Sequence, residues 1–199
     1  MDKNEYAILI LAAGSSERLG HPKQLVKWNQ STLLNHTIEQ ATRVGNADVF
    51  ITLGANHSDI RPNIFFDLPI FINKEWNEGM GKTISFTISR INPKKYTGLI
   101  LSVCDQPYIT TDVFNNLIST FENGDSSIIL SKYQVSSGPP TLFAKKHYPD
   151  LLNLSGDQGA NKIVKKHSYE LAYIDFPNGH IDIDTQQDFN NLTDFKSLH

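Results

Sequence analysis

Apolar positions along this chain fall into two kinds of run that alternate. Tyr6 to Leu11 (YAILIL) is short, continuous and rich in isoleucine and leucine, the composition of a strand covered on both faces. After a glycine-bearing loop, Leu34, Ile38 and Ala41 recur at i, i+4 and i+7, with Ser31 as candidate N-cap and Gly45 as the stop, a pattern that predicts a helix. Asp48 to Leu53 (DVFITL) predicts a second buried strand ending at Gly54. A short strand at Pro69 to Asn73 follows, then a helix bearing Ile84, Ile88 and Ile91 and closed by Pro93. Gly98 to Val103 (GLILSV) repeats the buried strand, Val113, Leu117 and Phe121 mark one face of the next helix, and Ser127 to Leu130 predicts a further strand. Repeated strand–helix alternation implies the α/β class, with a mostly parallel sheet, helices on both faces and ligands bound beyond the carboxyl ends of the strands.

The last third is less regular. It offers a turn-rich segment at Ser136 to Pro140, a helix near His147 to Leu152, a GDQGAN loop from Gly156, and a terminal strand and helix around Ile181 to Leu192. No repeat, low-complexity stretch or linker divides the chain, which reads as one domain over residues 1–199.

Composition narrows the function classes. With 39% hydrophobic and 20% charged residues, 199 residues are enough to bury one sizeable core. A net charge of −3 and a pI near 6.1 give no basic excess for wrapping a nucleic acid, so none is expected as a partner. The apolar runs fall far short of the roughly 20 residues that cross a bilayer, so no membrane association is expected either. The polar start MDKNEY lacks the apolar region of a secretory signal, and the single cysteine, Cys104, cannot form an intrachain disulfide. Both features point to the cytoplasm.

Directly after the first strand stands Leu11 to Leu25, LAAGSSERLGHPKQL. Ala12, Ala13 and Gly14 keep side chains clear of a ligand approaching the backbone N–H groups, and Gly14 and Gly20 permit positive φ. Ser15 and Ser16 add hydroxyl donors, and Arg18 and Lys23 add two positive charges for polyphosphate oxygens. No GK[ST] follows the glycines, so this is not a Walker A loop, and it is not GxGxxG. At the end of the third long strand comes Cys104-Asp-Gln-Pro107, where Asp105 enters the ligand crevice or caps the turn before Thr110. Near the carboxyl end, Asp182 and Asp184 alternate with isoleucines in IDIDT and so share one strand face. Either can serve a cation, and Asp184 can instead cap a helix starting near Gln186. Between these stations, Trp76 to Ser85 (WNEGMGKTIS) carries Gly79 and Gly81, suited to a close pass by a base or ribose. There Thr83 opens a helix whose N-terminus favours an anion, or is simply its N-cap. His36, His57 and His147 have no partner at metal-ligand spacing and read as surface or helix-face histidines.

The first loop resembles the signature LAAGxSxRxGxxK of the MobA-like nucleotidyltransferase family, most closely its molybdopterin cytidylyltransferase branch. The Asp105 station, the WNEGMG segment and IDIDT are similar to that family's later motifs, so the likeness spans Leu11 to Phe189. The resemblance implies a Rossmann-like, three-layer nucleotide-diphospho-sugar transferase fold. The nucleotide-binding part would cover about residues 1–110 and the acceptor-binding part about 111–199. It implies that Leu11, Ala12, Ala13, Gly14, Ser15, Ser16, Gly79, Gly81 and Thr83 bind the nucleotide. Arg18 and Lys23 would act on the phosphates, Lys23 on the α-phosphate as pyrophosphate leaves, and Asp105 and Asp182 would hold Mg²⁺. CTP is the expected donor, because guanylyl-using relatives typically read LAGG where this chain has Ala12 and Ala13, and molybdopterin is the expected acceptor. Gly138, Pro140, Gly156 and Asp157 fall on the acceptor side. There the chain departs from the family, with Pro139 in place of a histidine and Asn161 in place of an arginine. The alternatives are transfer to a sugar phosphate or methylerythritol phosphate, or a nucleotide-binding maturation factor for a molybdenum enzyme. A molybdenum apoenzyme is accordingly a candidate partner.

Overall fold

The computed structural model describes residues 5–185 together with 187, 188 and 190. Seven strands form one sheet: β1 (Tyr6–Ala12), β2 (Ala47–Leu53), β3 (Ile70–Ile72), β4 (Gly98–Val103), β5 (Ile128–Lys132), β6 (Ser137–Ala144) and β7 (Leu171–Asp175). Their order across the sheet is β3-β2-β1-β4-β6-β5-β7. Only β6 runs against the others, pairing antiparallel with both β4 and β5. The main helices are α1 (Leu33–Thr42), α2 (Met80–Arg90), α3 (Thr111–Glu122), α4 (Tyr148–Leu152) and α5 (Asn161–Lys166).

Period-two alternation in β1 feeds two cores. Tyr6, Ile8, Ile10 and Ala12 face one side, where Leu34 and Ile38 of α1 and Phe114 and Leu117 of α3 cover them. Ala7, Leu9 and Leu11 face the other, against Ile84 and Ile88 of α2 and Leu151 of α4. The result is the three-layer α/β architecture expected from the sequence. β1 has β2 on one side and β4 on the other, so the strand order reverses between β1 and β4. Their carboxyl ends, Ala12 and Val103, therefore open onto the crevice where ligands of such sheets bind.

Four expectations change. Ser136 to Pro140 is largely strand: β6 begins at Ser137, and its prolines are tolerated where the pairing with β5 shifts register between Leu130 and Ser131. The GDQGAN loop runs straight into α5, which the sequence reading omitted. The N-cap of α1 is Thr32, whose hydroxyl accepts from the Asn35 N–H at 3.2 Å, and Ser31 lies one residue too early. No strand forms at Ile181 to Asp184. Thr185 and Asp188 instead make a reciprocal cap, with Thr185 N–H donating to Asp188 Oδ2 at 2.7 Å and Asp188 N–H to Thr185 Oγ1 at 3.2 Å. Asp184 is therefore free of the capping role. Most of the terminal helix expected up to Leu192, and Phe189 with it, lies outside the described residues.

Candidate active site

Three segments meet beyond the carboxyl ends of β1 and β4. The loop after β1 delivers Lys23, which opens a single 3₁₀ turn to Leu25. The end of β4 delivers Asp105. The Asp182–Asp184 segment is pinned beside it, because Ile183 N–H donates to the Asp105 carbonyl at 3.1 Å and the Ile183 side chain is buried with Leu19, Trp28 and Leu33. Between the two acidic stations sits the Lys23 ammonium, donating to Asp105 Oδ2 at 2.6 Å and to Asp184 Oδ1 at 2.7 Å. Arg18 reaches the other oxygen of Asp184 at 2.5 Å. With its side chain 72% exposed, this second pair contributes little to stability, and the guanidinium is easily redirected to another anion.

The electrostatics follow from that layout. Burial alone would lower the Lys23 pKa, but Asp105 and Asp184 outweigh it and hold that pKa above the ordinary lysine value. Burial also works against the charge on Asp184, yet Lys23 and Arg18 pull its pKa below the usual aspartate value. Asp182 moves the other way: desolvation, then the negative charges of Asp184 and Asp105, raise its pKa. Its ionised form thus costs stability above that raised pKa, a cost relieved as pH falls through it. Three carboxylates around two cations leave an excess of negative charge, so the set suits one added divalent cation with oxygen ligands. Cys104, next to Asp105, is no rival nucleophile. Burial and the Asp105 charge push its thiol up to about 12.

Ala13, Gly14, Ser15, Trp76, Gly79 and Met80 line a cavity of about 280 Å³ beyond the carboxyl end of β1, together with Leu11, Thr83 and Asp157. A second cavity of about 210 Å³ shares Leu11, Met80 and Asp157 and extends to Leu101, Pro139, Thr141 and Asn161. The fold thus brings the first loop, the WNEGMG segment and the GDQGAN loop to one crevice. Individual roles shift, however. Gly14 has a negative φ and open space around it, whereas the positive-φ residues of the loop are Gly20, at φ 79° as expected, and Ser16, at φ 59°. The Ser16 hydroxyl accepts from Lys23 N–H at 3.0 Å and so folds the loop back on itself. Gly79, at φ 103°, is needed because a Cβ there would sit 2.3 Å from Asp157 Oδ1, and one on Gly81 would meet the Ser155 carbonyl at 2.8 Å. Their close approach is to the 155–157 segment. Thr83 does not open the helix: α2 begins at Met80, and the buried Thr83 hydroxyl accepts from Asn73 Nδ2 at 3.1 Å. Gly138 and Pro140 are buried strand residues, while Pro139 between them lines the second cavity. Ala12 is likewise a buried strand end.

Sequence reasoning passed over Gln24. Fully buried, it donates from Nε2 to the Ala12 carbonyl at 2.9 Å and the Gly14 carbonyl at 3.2 Å, clamping the start of the phosphate loop to its end. A glutamine between Lys23 and Leu25 at a position otherwise suited to an apolar residue was the available signal. Gln24→Met is expected to deprive the buried Ala12 carbonyl of this donor and to release the Gly14 carbonyl to water, costing about 1–3 kcal/mol, or roughly 2–4 °C in Tm per kcal/mol, and to raise the KM for nucleotide. An unchanged melting curve and KM would remove the clamp from the account.

Comparison with known proteins agrees with this fold. Residues 8–171 match the family model of the MobA-like NTP transferase domain. The purine catabolism protein PucB of Bacillus subtilis is 23% identical over 190 residues, covering 85% of this chain and 91% of that protein. A molybdenum cofactor guanylyltransferase of a Shewanella species is 23% identical over 189 residues, with 92% and 93% covered. Rv0371c from Mycobacterium tuberculosis superposes with a TM-score of 0.85 at 26% identity, covering 98% of this chain and all of that one. The same protein in complex with manganese gives 0.80 at 24% identity, covering 96% and 98%. Among the described residues, no helix is long and apolar enough to cross a membrane.

Proposed function

The chain belongs to the MobA-like NTP transferase family and is a nucleotidyltransferase, and on that premise we propose that it transfers a cytidylyl group from CTP to a small phosphorylated acceptor with Mg²⁺, molybdopterin being the favoured acceptor. The observation that carries this reading is the Lys23 ammonium held at 2.6 and 2.7 Å between Asp105 and Asp184, on the same loop whose Ala13, Gly14 and Ser15 line a cavity. A triphosphate seated on Gly14, Ser15 and Ser16 brings its α-phosphate to Lys23, and Arg18 turns from Asp184 to the outer phosphates. The acceptor phosphate is already ionised, so its attack on the α-phosphorus, with departure of pyrophosphate, needs no general base. What the chain supplies is alignment and fixed positive charge.

Asp105 and Asp182 are the residues that would hold Mg²⁺. The strain of Asp182's charge against Asp184 and Asp105 fits a site completed by a cation, and a manganese complex exists for Rv0371c. The ion supplies charge neutralisation to the phosphates. Asp184 stays with Lys23.

Cytosine is favoured by Ala13. It is 6% exposed, lines the nucleotide cavity, and is backed by Gly54, where even a Cβ would lie 2.6 Å from the Ala13 carbonyl. With no room behind it, the Ala13 methyl limits the space for a purine. Against this stands the guanylyltransferase among the relatives. Competition binding of CTP, UTP, GTP and ATP with Mg²⁺ decides between them: CTP is expected to bind tightest, and a clear preference for GTP overturns the cytidylyl assignment. Molybdopterin as acceptor, a molybdenum apoenzyme as recipient of the product and a cytoplasmic setting complete the proposal. The Pro139 and Asn161 departures leave a sugar phosphate or methylerythritol phosphate as the second reading of the acceptor.

A further inference from the structure

His147 is not the helix-face histidine its sequence context suggests. It is 1% exposed and lies at the end of the sheet opposite the nucleotide crevice, just after Ala144, the residue of β6 that pairs with Gly98 at the start of β4. Asp150 from α4, His167 at the end of α5 and Glu170 just before β7 converge on it. The His147 and His167 rings are 4.6 Å apart between centroids. His167 Nε2 lies 3.3 Å from Asp150 Oδ2, and its Nδ1 lies 3.3 Å from Glu170 Oε1. One ligand atom each from His147, Asp150 and His167 fall within 4.8 Å of one another. Ligands of a tetrahedral zinc, at 2.0–2.1 Å from the ion, are about 3.3 Å apart, so small side-chain rotations close the set.

The surroundings resemble the outer support of a metal site. Ser127 gives its hydroxyl proton to Glu170, so in its 2.7 Å contact with His147 Nε2 the histidine is the donor. Nε2 carries the proton and Nδ1 the lone pair, and the relay from imidazole through hydroxyl to carboxylate fixes that tautomer. Lys166 at 2.9 Å from Asp150, and Lys146 on Glu170, now neutralise the carboxylates. Both lysines are more than half exposed and can swing into water at little cost.

We propose that His147, Asp150 and His167, with Glu170 as outer partner or fourth ligand, form a second cation site, selective for a borderline transition metal of the zinc class. Two imidazoles disfavour Mg²⁺ and Ca²⁺, which take oxygen ligands. The ion would tie α4, α5 and the start of β7 together, and so brace α5, whose first residue, Asn161, lines the second cavity.

Titration of the full-length protein with Co²⁺, followed by displacement with Zn²⁺, tests this. One equivalent of Co²⁺ is expected to give the visible absorption of a four-coordinate nitrogen–oxygen site, and Zn²⁺ to abolish that absorption and raise Tm. His167→Gln and Asp150→Asn, both at partly exposed side chains, should each weaken binding by about tenfold or more. Lys166→Met, which removes a competing cation, should tighten it. Asp105→Asn, at the other end of the sheet, should leave the cobalt spectrum unchanged. Absence of the absorption overturns the site, and so does its persistence in both His167→Gln and Asp150→Asn or its loss in Asp105→Asn.

Discussion

Lys23→Ala is expected to lower turnover by about 100- to 1,000-fold, the loss that follows removal of one pre-organised donor from a centre of developing charge. Nucleotide affinity should fall far less, because Ser15, Ser16, Arg18 and the loop backbone remain, and the Lys23 contribution is greatest as charge builds on the α-phosphate. Pre-steady-state pyrophosphate release and nucleotide binding, measured on the same preparation, separate the two effects. The variant also strips Asp105 and Asp184 of their shared counter-charge. Its metal-free form should therefore melt below the parent, with Mg²⁺ restoring more of the difference than it adds to the parent. A variant that keeps near-normal turnover would show that Lys23 is only a structural counter-ion.

The three carboxylates separate by function in the second large effect. Asp105→Asn and Asp182→Asn should each raise the Mg²⁺ concentration for half-maximal rate by at least about 10- to 100-fold, since loss of a mere outer-shell partner already costs that much and an amide is a poor ligand for a hard cation. Asp184→Asn should leave the Mg²⁺ requirement near normal and lower turnover instead, because Asp184 orients Lys23 and Arg18. The metal-free stabilities add an independent sign. Asp182→Asn removes a charge that Asp184 and Asp105 repel and should not destabilise, whereas Asp184→Asn breaks two charge pairs and should. Magnesium curves of the three variants, measured alongside thermal melts, check both. An equal shift in all three would remove the distinction between Asp182 and Asp184.

Much of this was legible in the chain because its strands are covered on both faces. Tyr6 to Leu11 and Gly98 to Val103 are short, largely apolar runs of the kind that buried parallel strands carry, and both strands fall within one residue of those bounds. Placing Asp105 and the first loop at strand ends followed from that. What escaped was set by long-range pairing. Ser137 to Ala144 reads as a turn because of its glycine and two prolines, and becomes a strand only because β4 and β5 supply partners on both sides. Gly79 and Gly81 read as places for a ligand, yet the atoms a Cβ would strike belong to Ser155 to Asp157, far off in sequence. IDIDT alternates as a strand should, but Ile183 is anchored to Asp105 and Thr185 to Asp188, so the segment becomes a cap and a clasp for Lys23. Local pattern carries none of these contacts. His147 is the same case: Ser127 lies 20 residues before it and Glu170 lies 23 after it, on other elements.

The most direct test of nucleotidyl transfer at the Lys23–Asp105–Asp184 cluster is pyrophosphate release. The four ribonucleoside triphosphates are each offered with Mg²⁺ to molybdopterin and to a panel of phosphorylated small molecules, with Lys23→Ala run in parallel. Stoichiometric pyrophosphate is expected with CTP and one phosphorylated acceptor, abolished by chelation of the metal and slowed about 100- to 1,000-fold by Lys23→Ala. Tight CTP binding without pyrophosphate from any acceptor, or release that survives Lys23→Ala undiminished, would contradict it.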